Sequence, residues 1–170
     1  MSHVKHRALV VLTCFCLAAC AERGAPPTAP PIEMSARERA ASKVHVDPAA
    51  AAAMISQYRK TYALGAVTPD PTLQKLAQAQ ADAMAAHNVL SHDIDGDLTQ
   101  RFDAAHLVRA TAVENVSAGY FSLADVIAGW RKSPPHNANL LSPKMQHLGI
   151  ATAYAPGTRY LVYWALDMSN

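Results

Sequence analysis

The sequence predicts an α+β fold in which helices pack on an antiparallel sheet. Asp-Pro pairs at 47–48 and 70–71 are typical helix starts, because aspartate caps free N–H groups and proline suits the first helical turn. Apolar residues follow each pair at helical spacing. Near the end of the chain, two apolar segments of strand character flank Pro156-Gly157, which indicates a β-hairpin. Helices followed by a terminal hairpin favour an α+β domain.

Length and composition are those of one folded domain with an apolar core. Of the 170 residues, 51% are hydrophobic and 16% are charged, and this low charge excludes a charge-driven disordered chain and a coiled coil. The net charge is +2, and apart from Lys5 and Arg7 the basic and acidic residues balance. Since a nucleic-acid-binding domain is expected to carry a basic excess, we expect no nucleic-acid partner.

The first 20 residues have the pattern of an exported lipoprotein. Lys5 and Arg7 precede an apolar run over 8–19, which has the length of a signal-peptide core and is too short to span a bilayer as a stable helix. The run ends in Leu-Ala-Ala-Cys and resembles the bacterial lipobox. Residues 1–19 are therefore interpreted as a lipoprotein signal peptide and Cys20 as the acylated residue. The alternative is an ordinary signal peptide in which Cys20 has no role.

This N-terminus predicts a protein of the cell envelope that a lipid holds at a membrane. Residues 21 and 22 lack the aspartate that marks inner-membrane retention in many Gram-negative lipoproteins, which favours the outer membrane and periplasm. All three cysteines lie in the first 20 residues, so we expect no disulfide in the exported part. Residues 20–46, rich in proline at their start, are interpreted as a linker, although 32–46 could also form a weak helix. Residues 47–170 are interpreted as the domain.

The two long helices follow from their capping residues. The first begins at Pro48, carries an apolar face and is expected to end near Gly65. The second begins at Pro71 and ends at Asn88, a residue that tolerates the left-handed conformation of a helix C-cap.

Two shorter helices and the hairpin complete the prediction. The helices are expected over 98–106 and 122–132, the second with an apolar face that includes Trp130. The strands of the hairpin are expected over 148–155 and 158–168.

Four short segments, in order, resemble a known family. They are Val-Leu-Ser-His ending at His92, Val-Glu-Asn-Val around Glu114, Ser-Pro-Pro-His-Asn-Ala-Asn-Leu-Leu from Ser133, and Leu-Gly-Ile around Gly149. With Trp130 three residues before the third segment, they resemble the bacterial branch of the CAP superfamily, also called the SCP-like or cysteine-rich secretory, antigen 5 and pathogenesis-related family. The resemblance covers about residues 50–170 and implies a three-layer α-β-α sandwich with a central antiparallel sheet.

The resemblance also implies a cleft in which His92, Glu114 and His136 converge and bind zinc or another divalent cation. Two neutral imidazoles and a carboxylate are a common set of zinc ligands, and they leave the fourth coordination position open for water or a ligand. Without metal, the carboxylate favours the charged form of the neighbouring imidazole and raises its pKa, so the three side chains could titrate near neutral pH. The alternative is that these three side chains are structural and close loops onto the core. Asn115 and Asn139 are interpreted as structural amides that tie loop backbone together.

Four positions depart from the family pattern. Ser133 stands where some members have a second glutamate, which reduces the predicted set to three residues. Val113 and Pro135 replace glycines before the glutamate and the second histidine, and restrict the backbone there. Asn137 replaces an arginine after that histidine, which removes a cation from the rim of the cleft.

Two classes of function are compatible with this site. The first is a binding module, held at the envelope by its lipid anchor, for a lipid, a cell-wall fragment or a protein. The second is a weak hydrolase, protease-like or directed at the cell wall, in which His92, Glu114 and His136 activate water with or without a divalent metal. The sequence contains no nucleophile elbow, HExxH pair or phosphate loop. Because a fold does not determine chemistry, binding is preferred, and no catalytic residue is assigned.

Overall fold

A computed structural model describes residues 34–107 and 111–170. The predicted signal peptide, Cys20 and the proline-rich part of the linker lie outside the described residues. None of the described helices is long and apolar enough to cross a membrane. The described elements are α1 (Ala36–Ala41), α2 (Pro48–Lys60), β1 (Thr68–Pro69), α3 (Pro71–His87), α4 (Leu98–Ala104), β2 (Ala112–Ala118), α5 (Leu123–Lys132), α6 (Pro134–Leu140), β3 (His147–Tyr154) and β4 (Val162–Ser169).

The described strands form one sheet in the order β1-β3-β4-β2, so β2 is an edge strand. β4 pairs antiparallel with both β3 and β2, whereas the two residues of β1 pair parallel with β3. The predicted α+β class and central antiparallel sheet are confirmed, with β1 as a short parallel addition. The register places Glu114 opposite Asp167, and Asp167 opposite Gly149, so these three residues share one face of the sheet.

Helix α3 covers that face of the sheet. Ala77 and Ala81 of α3 belong to the same buried cluster as Ala151 and Ala165 of the sheet, and these small side chains let the helix approach closely. The approach is closest at Gly149, where a Cβ atom would overlap the backbone of Leu73. The predicted helix is confirmed with its caps: Asp70 accepts from the first free N–H groups, and Asn88 is left-handed with φ of 52°.

The opposite face of the sheet is covered by α2, α5 and α6, which makes the molecule three-layered. Trp130 and Trp164 lie in this core and satisfy their indole N–H groups at the Ser117 hydroxyl and the Tyr120 carbonyl. Large apolar side chains fill the rest of this layer: Ile55, Val126, Ile127, Leu140, Leu148, Ile150, Leu166 and Met168.

Arg59 joins α2 to the segment between α6 and β3. Its guanidinium is fully buried and donates only to backbone carbonyls, within 2.8–3.0 Å. The acceptors are Gly65, Leu140, Ser142 and Met145. This contact accounts for the early end of α2: the helix ends at Lys60, because Ala63 turns the chain with φ of 56° and Gly65 accepts from Arg59.

The folded part of the chain begins before residue 47, although the predicted linker extends to residue 46. Ser35 and Glu38 form a capping box at the start of α1. Ala41 is fully buried, and Val44 and Val46 pack against the same core. The alternatives for residues 32–46 are further linker or a weak helix. The described part of this segment contains a helix, and it therefore belongs to the domain. The two shorter helices are confirmed as α4 and α5, and the hairpin around Pro156-Gly157 as β3 and β4, although α4 ends at Ala104 and β4 begins only at Val162.

The contact at Gly149 predicts a large effect of a single methyl group. Gly149→Ala is expected to lower the free energy of unfolding by about 3 kcal/mol, the upper end of the usual cost of overpacking, because the added Cβ atom meets backbone and not a flexible side chain. Gly65→Ala is the matched control, since a Cβ atom there meets nothing, and it is expected to change stability by less than about 0.5 kcal/mol. Urea unfolding measures both, and equal stabilities of the two variants would contradict the close packing.

Candidate functional site

The candidate site lies beside β2, where three other parts of the chain meet the edge of the sheet. Glu114 comes from β2 and projects from the face that α3 covers, His92 comes from the loop between α3 and α4, and His136 comes from α6. Arg101 comes from α4 and completes the group.

Glu114 is the centre of a closed network. Its side chain is only 2% exposed, and its two oxygens have different partners. Oε1 bonds the His92 Nδ1 at 2.7 Å, and Oε2 accepts from the Arg101 Nη2 at 2.7 Å. Because an ionised carboxylate only accepts, Nδ1 of His92 carries the proton in this bond. The same Nη2 also donates to the His92 carbonyl oxygen, at 3.1 Å. Arg101 therefore compensates the Glu114 charge and holds the His92 loop.

Sequence reasoning did not single out Arg101, although a signal was present. In the predicted helix over 98–106, Arg101 has helical spacing from Leu98 and Ala105 and precedes the buried Phe102. A cation on the apolar side of a helix is rarely buried without a carboxylate partner. Glu114 is that partner, and Arg101 is 9% exposed.

The two imidazoles are the accessible polar groups of the site. The His92 side chain is 51% exposed, and its Nε2 makes no hydrogen bond within the described residues. His136 is half-buried on α6. Burial, and then the neighbouring His92, lower the pKa of His136, which keeps this imidazole neutral at neutral pH.

Two amides tie α6 to the edge strand. Asn115 Nδ2 donates to the His136 carbonyl at 3.0 Å. Asn139 Nδ2 donates to the Glu114 carbonyl and to the Asn115 side chain, both at 2.9 Å. These bonds hold α6, with the backbone of His136, against the Glu114–Asn115 part of β2.

The departures from the family pattern are accommodated at this helix start. Pro134 and Pro135 occupy the first turn of α6, where no N–H is needed, and Ser133 precedes them at the N-cap. Asn137 accepts from the Tyr58 hydroxyl at 2.8 Å, which links α6 to α2. Val113 takes an ordinary extended place in β2.

The predicted zinc set of His92, Glu114 and His136 does not fit this arrangement. Over residues 34–107 and 111–170, no group of three or more His, Cys, Asp or Glu side chains is placed to hold a metal ion. Both oxygens of Glu114 are already engaged, so a metal would have to displace Arg101 or His92 from the carboxylate. The two imidazoles remain as potential ligands.

Asp167 is a second buried carboxyl group, which sequence reasoning also missed. It lies opposite Glu114 on β4 and is fully buried, and neither of its oxygens has a hydrogen-bond partner within the described residues. Burial, and then the negative charge of Glu114, raise the pKa of Asp167 well above its usual value, while Arg101 opposes the shift. A lone aspartate in the apolar strand Val162–Ser169 was its signal in the sequence.

Comparison with protein families and curated proteins gives two matches. The profile of the CAP, or cysteine-rich secretory protein, family matches residues 52–168. YkwD of Bacillus subtilis (strain 168), an uncharacterized protein, is 29% identical over 86 residues. The aligned region is 48% of this chain and 32% of YkwD, so the chain spans about a third of that relative.

Solved structures with the same fold include proteins from three bacteria. An outer surface protein of Borrelia burgdorferi has a TM-score of 0.65 at 19% identity, over 74% of this chain and 96% of that one. An extracellular SCP-domain protein of Bacillus anthracis str. Ames has a TM-score of 0.62 at 21% identity, over 71% and 39% of the two chains. A cysteine-rich secretory protein of Staphylococcus aureus has a TM-score of 0.59 at 18% identity, over 71% and 36%. At these identities the likeness shows the fold.

The burial of Asp167 predicts a pH-dependent stability difference. Folding raises the pKa of Asp167, so its contribution to stability is full below the unfolded value near 3.8 and is lost as the pH rises through the folded value. The side-chain amide in Asp167→Asn cannot ionise, so this variant does not lose stability at position 167 as the pH rises. We expect the variant to be more stable than the parent by roughly 1–2 kcal/mol at pH 7.5, with a much smaller gain at pH 4.

Urea unfolding at the two pH values measures this difference. Asp103→Asn, at an exposed position of α4, is the control and is expected to change little at either pH. If Asp167→Asn is less stable than the parent at pH 7.5 while the control is unchanged, the interpretation of Asp167 as an uncompensated buried carboxylate is contradicted.

Proposed function

The chain belongs to the CAP family of cysteine-rich secretory proteins, and on that premise we propose that it is an exported envelope protein that binds a ligand through the cleft of His92, Glu114 and His136. The expected ligand is a lipid, a cell-wall fragment or a protein. Binding is favoured over catalysis by the chemistry of the cleft.

The proposal rests on the burial of the Glu114 carboxylate and on its two partners. Its carboxylate is buried and shared between His92 and Arg101, so it serves to orient an imidazole. Among the described residues, no hydroxyl or thiol group hydrogen bonds the His92 or His136 ring, so neither imidazole is paired with a protein nucleophile. The proposed cleft therefore offers an oriented His92 ring and a neighbouring His136 ring that can donate to or accept from a ligand.

Export of the chain is supported by its relatives and by its N-terminus. The proteins with the same fold are described as extracellular or as an outer surface protein. Residues 1–19 have the pattern of a lipoprotein signal peptide, and Cys20 is the proposed site of acylation. A lipid on Cys20 would hold the domain at the membrane surface through the proline-rich segment.

One observation favours hydrolysis as a second candidate. A histidine whose Nδ1 is held by a buried carboxylate has the orientation of a general base, and the exposed His92 has this contact at 2.7 Å. In this candidate the His92 Nε2 would take a proton from a water molecule. A divalent metal, if bound by the two imidazoles, would supply a more acidic water.

The binding proposal is tested by co-sedimentation of the acylated protein, in mild detergent, with peptidoglycan sacculi, and of its Cys20→Ser variant, which lacks the proposed lipid anchor, with lipid vesicles in the absence of detergent. His92→Ala/His136→Ala is expected to weaken binding about tenfold or more, since both accessible polar groups of the cleft are lost. His45→Ala/His87→Ala, at two exposed histidines that are not members of the proposed site, is the matched control and should bind as the parent does.

Two results would contradict the binding proposal. Equal binding of both double variants would place the ligand elsewhere on the molecule. Turnover of cell-wall or peptide substrates that is lost in Glu114→Gln, with the fold intact by circular dichroism, would favour the hydrolase.

A further inference from the structure

The exposed charges of residues 34–107 and 111–170 are distributed unequally between the two sides of the sheet. Helices α1, α2 and α5 lie on one side, since buried residues of all three belong to the same core cluster. Residues 34–62 and 119–133, which contain these helices, are called the basic side. They carry six exposed lysine and arginine side chains and only three acidic side chains. The six are Arg37, Arg39, Lys43, Lys60, Arg131 and Lys132.

Helices α3 and α4 lie on the other side of the sheet, where the balance of charge is reversed. Residues 71–107, which contain these helices, are called the acidic side. They carry five exposed aspartates and a single exposed lysine or arginine, Lys75. The aspartates are Asp82, Asp93, Asp95, Asp97 and Asp103. A negatively charged surface therefore attracts one side of the domain and repels the other, although the net charge of the chain is only +2.

The basic side also exposes large apolar and aromatic side chains. Met34, Met54 and Tyr62 are 42%, 39% and 53% exposed. Two further exposed apolar residues, Val89 and Leu90, lie on the acidic side, so only the basic side combines exposed apolar groups with an excess of cations. Cations together with tyrosine and apolar side chains are typical of protein surfaces that lie in the headgroup region of a membrane.

The cations and the aromatic rings of the basic side are in direct contact. The Arg131 guanidinium lies over the Tyr58 ring, 4.1 Å from its centroid, and the Tyr62 ring packs edge-on against Tyr58. Arg131 makes no ion pair in the described part of the chain, so its charge is available to a partner. Arg37 of α1 lies over the ring of Phe121, just before α5. These contacts make the surfaces of α1, α2 and α5 parts of one basic and aromatic face.

The proposed lipid anchor brings this side within reach of a membrane. Met34 lies 14 residues after Cys20, so the chain between them spans at most about 50 Å. The described chain enters the domain at α1, on the basic side. Attraction between exposed charges is screened beyond about 8 Å at physiological salt, and the anchor supplies the high local concentration that such a short-ranged attraction needs.

We propose that the basic side docks on the anionic phospholipid headgroups of the membrane that holds the anchor. The inference rests on the proposed anchor and goes beyond the ligand binding proposed for the cleft. Lysine and arginine side chains contact the phosphate groups, while Met54 and Tyr62 enter the headgroup region. The acidic side, with the loop that carries His92, then faces the aqueous phase, from which a cell-wall fragment or a protein can reach it.

The test places a fluorescent reporter on each side of the acylated protein in lipid vesicles. The proposed mature chain contains no cysteine after Cys20, so one introduced cysteine is a unique site for a polarity-sensitive dye. Met54→Cys labels the basic side, and Ala86→Cys is the matched exposed helical position on the acidic side. The vesicles consist of phosphatidylcholine alone or of an equal mixture of phosphatidylcholine and phosphatidylglycerol.

The dye at position 54 is expected to emit at least about twofold more strongly on the anionic vesicles than on the neutral ones, and high salt should abolish the difference. The dye at position 86 should emit equally on both. With the dye at position 54, Lys60→Glu is expected to weaken docking about fivefold or more, because one attraction is lost and a repulsion is added. Lys75→Glu makes the same reversal on the acidic side and should have no effect. Thermal melts check that each variant is folded.

Three results would overturn the inference. They are equal emission at position 54 on anionic and neutral vesicles, equal responses at positions 54 and 86, and equal effects of Lys60→Glu and Lys75→Glu. A rise at position 54 that follows the density of protein and not the charge of the lipid would show that a second copy covers this side, and would also overturn it.

Failure of this inference is distinguishable from failure of the proposed function. If the protein floats with the vesicles but the dye at position 54 does not respond, docking is wrong while the anchor and the cleft proposal stand. If it does not float, the anchor is wrong and this inference with it. Since the cleft takes no part in docking, His92→Ala/His136→Ala should dock as the parent does, even where it no longer binds sacculi.

Discussion

The buried ion pair between Arg101 and Glu114 is the interaction on which the candidate site depends. It joins the short helix α4 to the edge strand β2, and through the His92 carbonyl it also holds the loop that follows α3. Burying an ion pair costs desolvation that its attraction barely offsets, so the pair contributes more to the arrangement of the site than to net stability. Without it, Glu114 would face Asp167 with no compensating charge. One guanidinium therefore connects α4, β2 and the His92 loop.

The pair also determines what chemistry the site offers. Because Glu114 is shared between two protein partners, the accessible groups are the imidazoles of His92 and His136, one of them kept neutral by burial. Nε and Nη1 of Arg101 and Oε1 of Gln80 are buried with no hydrogen-bond partner in the described part of the chain. Buried polar atoms of this kind usually have a partner in native proteins. The proposed binding function therefore rests on the two accessible imidazoles.

Much of the fold could be predicted because its signals are local. Asp70 and Asn88 mark the two ends of α3, and Pro156-Gly157 marks the hairpin, each within a few residues of sequence. The family motifs also brought His92 and Glu114 together, and these two side chains are in contact. The end of α2 could not be predicted, because Arg59 reaches residues about 80 positions away. Arg101 and Asp167 each had a local signal, but neither signal identified Glu114 as their neighbour, because that depends on sheet register and on helix packing against β2.

The measurement that tests this account most directly is a double-mutant cycle on Arg101 and Glu114. Urea unfolding at pH 7 would compare the parent with Arg101→Met, with Glu114→Gln and with the double variant. Each single change should cost about 3 kcal/mol or more, since each leaves one buried charge alone, whereas the double variant should lose at least about 2 kcal/mol less than the sum. Additivity of the two single effects within about 0.5 kcal/mol would show that the two side chains do not compensate each other, and would contradict the account.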